Sequence, residues 1–138
     1  MAKSIRDVMT ERPRTISKGD KVVDAARLMR EEDAGVVPIV DGDRLVGVVT
    51  DRDIAVRLVA DGRDPQSTSV EEIASRELVT VDPQQSLDEA LRLMAQHQVR
   101  RLPVCEEDGR LVGIVAQADV ARHGDAERTG EVVEEISS

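Results

Sequence analysis

The segment from Gly47 to Asp53 places a threonine and an aspartate where an apolar strand gives way to a helix. The free N–H groups and partial positive charge at a helix amino terminus suit a phosphate or another polar ligand. The Asp53 carboxylate can accept hydrogen bonds from the two vicinal hydroxyls of a ribose, and Thr50 adds a hydroxyl one turn away. The same spacing is typical of ordinary helix capping with Thr50 at the N-cap, so both interpretations stay open.

A second copy of this segment follows in the carboxyl-terminal half. Gly113 and Asp119 are retained there, but Ala116 stands in the position of Thr50. A capping pair explains less well why an aspartate is kept without its threonine. The second copy therefore favours a ligand role for the aspartates, although only modestly.

The remaining reactive side chains give weaker signals. Cys105 lies on a predicted strand and is expected in the core, while a redox-sensing role for its thiol stays open. His97, His123 and Cys105 are too far apart along the chain to show a metal-ligand spacing, so no metal site is predicted. Because no Ser-His-Asp, Cys-His or paired-carboxylate arrangement emerges, we expect no enzymatic activity.

Composition limits the partners further. The 138 residues carry 19 basic and 28 acidic side chains, a net charge of −9, which disfavours nucleic acids and anionic membranes. An anionic ligand would need a local group of arginines. The chain contains no Phe, Tyr or Trp, so a bound purine must be held by aliphatic side chains rather than by stacking on a ring.

The same composition predicts a cytoplasmic protein. No apolar run approaches the roughly 18 residues of a membrane-spanning helix, and the amino terminus has no apolar signal core. A single cysteine excludes an intramolecular disulfide and suits a reducing compartment.

An internal repeat organises the chain. A helix face with apolar residues spaced i, i+3, i+4, i+7 occurs twice, Leu87 following Val22 by 65 residues. A proline-containing strand, a second strand and the aspartate follow in the same order each time. The matching positions are Val22, Ala25, Ala26 and Met29 with Leu87, Ala90, Leu91 and Met94, then Val37-Pro38-Ile39 with Leu102-Pro103-Val104, and Asp53 with Asp119.

Each half predicts a β-α-β-β-α unit. In the first half, strands are expected at residues 15–16, 36–40 and 44–49, and helices at 22–32 and 51–59. In the second half, strands are expected at 78–81, 101–105 and 110–115, and helices at 87–97 and 117–122. Gly42 supplies the first hairpin turn, and Ser86 and Glu89 have the spacing of a capping box.

The predicted organisation is a first repeat over residues 1–60, a polar linker over 61–71, a second repeat over 72–123 and an acidic tail over 124–138. A repeat of about 50 residues buries too little apolar surface to be stable alone. We therefore expect an α/β architecture in which two repeats are related by a pseudo-twofold axis and their sheets pack face to face.

Two blocks carry a family resemblance. One runs from Val36-Val37-Pro38-Ile39-Val40-Asp41 through Gly47-Val48-Val49-Thr50-Asp51-Arg52-Asp53, and its copy runs from Val99 through Asp119. Together they closely resemble paired cystathionine-β-synthase (CBS) domains, most of all the stand-alone two-repeat proteins of bacteria and archaea. The resemblance covers nearly everything from Ser4 to His123, and its strength lies in the recurrence of the whole block order.

The resemblance implies a regulatory module that binds an adenine nucleotide, AMP or ATP above others, between its repeats. By this analogy Thr50 and Asp53 hold the ribose, and Arg100 and Arg101 face the phosphates. The purine then lies among Val48, Val79 and Val99.

A second site would use Ile114 and Asp119. This site departs from the family pattern, because Ala116 lacks a hydroxyl and Gly35-Val36 replace the two arginines, so we predict that it is empty, weak or adapted to an uncharged group.

Family members commonly pair into a disc-shaped homodimer, and the same is expected here, with a downstream protein that the sequence does not name. Two other functions stay open. One is a scaffold that dimerises without a ligand, and the other is a redox or metal sensor using Cys105 or the histidines.

Overall fold

The computed structural model describes residues 3–75 and 77–127. Its helices and strands alternate in an α/β order, which confirms the predicted fold class. In chain order they are α1 (Ile5–Val8), β1 (Thr10–Glu11), β2 (Ile16–Ser17), α2 (Val22–Glu32), β3 (Val36–Asp41), β4 (Arg44–Thr50), α3 (Asp51–Asp53), a π-helix (Ile54–Val59), α4 (Val70–Ile73), α5 (Leu87–His97), β5 (Arg101–Cys105), β6 (Leu111–Ala116) and α6 (Gln117–Glu127).

The chain divides into two compact units. The first-repeat unit consists of Pro13–Leu78 together with Gly109–Leu111. The second-repeat unit consists of the described residues up to Arg12, of Val79–Asp108 and of those from Val112 onward. The described residues up to Arg12, which fall within the first repeat as predicted over residues 1–60, thus belong in space to the unit of the second repeat.

The first-repeat unit is built on a three-stranded sheet in the order β2-β3-β4. Strand β2 runs parallel to β3, with Ile16 opposite Ile39, and β3 runs antiparallel to β4. The turn between β3 and β4 has Gly42 at a φ of 68°, a conformation that glycine adopts without steric cost. Its core comes from alternate strand residues and from one face of α2.

The buried face of α2 differs by one position from the expected one. Val22, Ala25 and Met29 are buried as predicted, but Ala26 is exposed and Leu28 is buried in its place. The predicted set and the observed set each put four residues on one side of a helix with 3.6 residues per turn. In the observed set the larger Leu28 side chain faces the core in place of Ala26.

The second-repeat unit is built on the sheet β1-β6-β5. Strand β1 is antiparallel to β6, with Thr10 opposite Ile114. The predicted strand at 78–81 is wrong in extent, because only Val81 pairs there, in a parallel bridge with Val104. The core of this unit contains the buried residues Ile5, Val8, Val81, Leu87, Ala90, Met94, Leu102, Val104, Val115 and Val120.

Two short helices were not predicted. Helices α1 and α4 begin after Ser4 and Ser69, and each has a capping box, closed by Asp7 and Glu72 respectively. Their core residues, Ile5 in one and Val70 in the other, are fully buried. Helix α4 lies at the end of the segment expected to be linker.

The helix that follows β4 changes its hydrogen-bond register after one turn. Its start, α3, is α-helical, and residues Ile54–Val59 form a π-helix in which the Ala60 N–H donates to the Ala55 carbonyl at 3.0 Å.

The helix predicted at 117–122, α6, extends to Glu127, into the segment expected to be tail. The remaining tail, 128–138, lies outside the described residues, and every helix of residues 3–75 and 77–127 is too short or too polar to span a lipid bilayer.

A substitution at Gly113 tests the contact between β1 and β6. A Cβ atom at this position would lie 2.6 Å from the Met9 sulfur and 2.9 Å from the Thr10 carbonyl oxygen, and the carbonyl belongs to a paired strand. We expect Gly113→Ala to lower the free energy of unfolding by about 1–3 kcal/mol through overpacking. Urea unfolding, followed by far-ultraviolet circular dichroism, measures the free energy of unfolding of the variant and of the wild type.

Gly19→Ala is the matched control, because a Cβ atom at Gly19 meets nothing within 4 Å. That variant should stay within about 0.5 kcal/mol of wild type. Equal stability of the two variants would contradict the described pairing of β1 with β6.

Candidate functional site

Thr50 and Asp53 hold each other through two reciprocal hydrogen bonds at the start of α3. The Asp53 N–H donates to Thr50 Oγ1 at 3.0 Å, and the Thr50 N–H donates to Asp53 Oδ2 at 2.9 Å. Thr50 has the extended backbone of an N-cap residue, with φ −116° and ψ 163°. The capping interpretation of this pair is therefore right, and what it leaves available is the second carboxylate oxygen.

The Asp53 carboxylate is largely buried, with a side chain 12% exposed, and its charge is balanced from one side. Arg57 Nε lies 3.9 Å from Asp53 Oδ1, which is within ion-pair range but too long for a hydrogen bond. Nη1 of the same guanidinium donates to the carbonyls of Ile73, at 3.4 Å, and Ala74, at 3.3 Å. Oδ1 thus remains an acceptor held in a fixed orientation.

The strand that leads into this corner is fixed by the chain after α4. Val48 exchanges two backbone hydrogen bonds with Ser75, at 3.2 and 3.0 Å. A Cβ atom at Gly47 would lie 3.1 Å from the Ser75 carbonyl oxygen. Gly47 therefore serves the close approach of two backbone segments, and Val48 lies half-buried beside Thr50.

The corresponding corner of the second repeat is built differently. Ala116 offers no side-chain oxygen, so Asp119 forms no capping pair there. Its Oδ1 instead accepts a hydrogen bond from Arg122 at 2.6 Å, and its side chain is 32% exposed. Ile114 is half-buried in β6. Because a direct ion pair occupies this carboxylate, the second corner is less able to accept a ligand hydroxyl.

Arg100 and Arg101 stand at the beginning of β5 in the second-repeat unit. Arg100 is exposed and Arg101 is half-buried. Within residues 3–75 and 77–127, neither guanidinium makes a hydrogen bond or an ion pair. The Arg100 carbonyl accepts a 2.7 Å hydrogen bond from the Gln117 N–H, which holds this segment against the start of α6.

Two valines belong to the same unit as these arginines. Val79 packs on the core of the second-repeat unit, and the parallel bridge of Val81 with Val104 carries it toward the amino end of β5. Val99 comes just before the arginines and is 39% exposed. The second-repeat unit therefore brings Val79, Val99, Arg100 and Arg101 to one end of β5.

The predicted site residues fall into two groups. Val48, Thr50 and Asp53 lie together in the first-repeat unit, while Val79, Val99, Arg100, Arg101, Ile114 and Asp119 lie in the second-repeat unit. That one ligand bridges the two groups stays a prediction.

Sequence analysis missed a cleft of about 210 Å³ in the first-repeat unit. None of the predicted site residues lines it. Lys18 lies at its edge and is hydrogen-bonded to Asp41 at 3.0 Å, which raises the pKa of the lysine. The lining residues are Lys18, Ile39, Val46, Gly47, Glu71 and Ala74.

The thiol of Cys105 is half-buried at the end of β5. Burial raises the pKa of the Cys105 thiol to about 11. A protonated thiol is a poor nucleophile and a poor metal ligand at neutral pH. This environment weighs against the redox-sensor alternative.

The sequences of the two repeats match a known domain family. The sequence model of the CBS domain matches residues 5–60 and 70–125, which is most of the chain. The chain belongs to the CBS domain family. It carries a CBS pair, and the resemblance inferred from the two sequence blocks is confirmed.

Relatives of the CBS pair include small proteins of similar length. The CBS domain-containing protein YhcV of Bacillus subtilis is 48% identical over 118 residues, covering 86% of this chain and 83% of that protein. Hypoxic response protein 1 of Mycobacterium tuberculosis is 44% identical over 119 residues, covering 86% and 82%.

Solved structures similar to the CBS pair differ in what they bind. Hypoxic Response Protein I, 43% identical with a TM-score of 0.81 over 88% of this chain and 98% of that one, holds two coordinated zinc ions. CBSX2 in complex with AMP is 27% identical with a TM-score of 0.79 over 91% and 98%. The CBS pair of protein MJ0100, 25% identical with a TM-score of 0.76 over 92% and 99%, holds 5-methylthioadenosine and S-adenosyl-L-methionine.

The zinc-bound relative stands against the expectation of no metal. Among residues 3–75 and 77–127 of this chain, no three His, Cys, Asp or Glu side chains come together as a metal site would require. His97 is exposed at the end of α5, and His123 Nδ1 lies 3.3 Å from Lys3 Nζ.

Thiol kinetics test the environment of Cys105. Because its pKa is raised to about 11 from 9.0, the thiolate fraction of the folded protein at pH 8 should be about 100-fold below that of the unfolded chain. We expect Ellman's reagent to react correspondingly more slowly with folded protein than with protein in urea. The folded rate should keep rising up to about pH 11, whereas a rate that levels off below pH 9 would contradict the assignment.

Proposed function

We propose that this CBS pair is a non-catalytic regulatory module of the cytoplasm that binds a phosphorylated adenosine, AMP or ATP above others. The observation that carries the proposal is that the chain offers two complementary groups: an oriented Asp53 carboxylate whose Oδ1 accepts no hydrogen bond, and two arginine guanidiniums without a partner among residues 3–75 and 77–127. The relatives that hold AMP and S-adenosyl-L-methionine support an adenosine ligand.

The ribose is assigned to the Thr50–Asp53 corner. Asp53 Oδ2 is held by the Thr50 N–H, so Oδ1 can accept a hydroxyl without a change of rotamer. A ribose offers two adjacent hydroxyl donors, and a charged acceptor in a largely buried position binds such donors more strongly than an exposed one. Pre-orientation of the carboxylate also lowers the entropy cost of binding.

The phosphate is assigned to Arg100 and Arg101. Guanidinium groups bind phosphate oxygens with two parallel hydrogen bonds, and these two have no protein carboxylate to compete with the ligand in the described chain. The cationic sulfonium of S-adenosylmethionine would be repelled by the same pair. The two arginines therefore favour a nucleotide over S-adenosylmethionine.

The base is assigned to an aliphatic pocket of Val48, Val79 and Val99. The chain has no aromatic residue, so dispersion contacts and burial must hold the purine. Val99, at 39% exposure, has apolar surface to bury on binding. A bridging ligand would stabilise one arrangement of the two repeats and so bias what a partner protein can bind.

The second corner is assigned a weak or absent site. Asp119 is already paired with Arg122 at 2.6 Å, and Gly35-Val36 offer no cation where the other half has arginines. One strong site in each chain follows, with homodimerisation as a further part of the proposal.

Two other functions compete. A ligand-free dimerising scaffold needs neither Asp53 nor Arg101. A metal sensor is favoured by one observation, the two zinc ions in the structure of Hypoxic Response Protein I, and it predicts that zinc and not a nucleotide stabilises the protein.

Ultraviolet absorption of the purified protein tests the proposal directly. With no Trp or Tyr, the protein absorbs almost nothing near 280 nm, so a co-purified purine dominates near 260 nm. We expect heat-released material to give the mass of an adenosine phosphate. A purine-free spectrum, together with no thermal shift on adding AMP, ADP, ATP or S-adenosylmethionine, would favour the scaffold.

Two substitutions separate the ribose and phosphate contacts. Asp53→Asn keeps an oxygen for the Thr50 N–H but removes the charge, so it should lower the affinity for adenosine and the affinity for AMP by about tenfold each. Arg101→Ala should lower the affinity for AMP by about tenfold and the affinity for adenosine by less than about twofold. Isothermal titration calorimetry measures the dissociation constant of each ligand for each variant.

Arg27→Ala is the control for charge loss alone. Arg27 lies on α2 of the first-repeat unit, with Nη1 3.8 Å from Asp24 Oδ1, and it should leave both affinities unchanged. If Arg101→Ala weakened adenosine and AMP by the same factor, the phosphate assignment would fail.

A further inference from the structure

Arg57 links Asp53 to the end of α4 without using the carboxylate as a hydrogen-bond acceptor. Its Nη1 donates to the carbonyls of Ile73 and Ala74, at 3.4 and 3.3 Å, and its Nε stays 3.9 Å from Asp53 Oδ1. Three contacts from one planar group fix where its positive charge lies.

The carbonyls of Ile73 and Ala74 are suitable anchors for a cation. They stand at the carboxyl end of α4, where helix carbonyls lack intrahelical partners and carry partial negative charge. The guanidinium has a rigid fork of donors, so bonds on one side of the group set the direction of the other side. Arg57 is in this way held at a distance from Asp53 rather than drawn onto it.

The distance has a geometric consequence for Asp53. A guanidinium at 3.9 Å attracts the largely buried carboxylate and still leaves Oδ1 free to accept a hydroxyl. In the second repeat the contrast is direct, because Arg122 lies 2.6 Å from Asp119 Oδ1 and occupies that oxygen. His123 stands where Arg57 stands in the first repeat, with Lys3 3.3 Å from its ring.

We propose that Arg57 is a positioning residue for ligand binding: anchored on the end of α4, it holds the Asp53 carboxylate in place and leaves Oδ1 open toward a ribose hydroxyl. This inference rests on the proposed adenosine ligand. It assigns Arg57 no contact with the phosphate, and that separates it from Arg100 and Arg101.

Titration of Arg57→Ala with adenosine and with AMP tests the inference. Because the substitution removes a partly exposed charge partner of Asp53, it should lower the affinities for adenosine and for AMP by the same factor, about fivefold. Arg27→Ala again serves as the control and should change neither. A loss confined to AMP would assign Arg57 to the phosphate and overturn the positioning role, as would unchanged affinity for both ligands.

A double-mutant cycle shows whether Arg57 acts through Asp53. In an Asp53→Asn background there is no charge to position, so Arg57→Ala should cost less than about twofold more affinity for adenosine. A full fivefold further loss would show that Arg57 acts independently of Asp53 and would contradict the inference.

The variant Arg57→Gln distinguishes a loss of affinity from a loss of folding stability. Its amide can still donate to the Ile73 or Ala74 carbonyl, so the unfolding midpoint should stay near that of wild type while both affinities fall as in Arg57→Ala. Wild-type affinity in this variant would overturn the role of the charge. Failure of wild-type protein to bind either ligand would instead reject the proposed function itself, so the two failures are distinguishable.

Discussion

The reciprocal hydrogen bonds between Thr50 and Asp53 are the constraint on which the candidate site depends. They end β4, start the next helix and fix the rotamer of a carboxylate that would otherwise move freely. One oxygen is used by the backbone, and the other is left beside a cation held at 3.9 Å. Helix capping occupies only one oxygen of this carboxylate, so it is compatible with the proposed ribose contact at the other.

The two repeats show how a small change alters such a corner. Where Thr50 is replaced by Ala116, the capping oxygen is lost, and the aspartate turns to an arginine on its own helix. Both corners keep the backbone bond from the start of the helix to the residue before the proline strand, at 2.9 Å from Asp51 to Gly35 and 2.7 Å from Gln117 to Arg100. This backbone hydrogen bond is thus common to both repeats, and the two corners differ in their side chains.

The long helices were predictable because their apolar periodicity is strong and their ends are marked. Helices α2 and α5 have the predicted bounds, and both stop at a residue with a left-handed backbone, Asp33 and Gln98. Helices α1 and α4 were missed because four residues show no periodicity. The π-helix was missed because a shift from i−4 to i−5 bonding has no sequence signature.

Within the site, spacing alone predicted the Thr50–Asp53 pair. The contacts of Arg57 were not predictable, because its partners Ile73 and Ala74 contribute only backbone carbonyls from the end of another helix. The capping box expected at Ser86 formed by half: Ser86 accepts from the Glu89 N–H at 3.2 Å, and the Glu89 carboxylate is bonded to Arg92 instead. The spacing thus predicted the Ser86 bond, but it did not predict that Arg92 binds the Glu89 carboxylate that would have completed the box.

The placement of α1 has a consequence for how the chain is made. The N–H groups of Ile5 and Arg6 donate to carbonyls of Gln85 and Pro83, and Ile5 fills a core whose other members include Val115 and Val120. During synthesis the first helix emerges from the ribosome long before its partners exist. Its apolar face cannot be covered by this core until the residues up to Val120 have been translated, well after those of the first repeat.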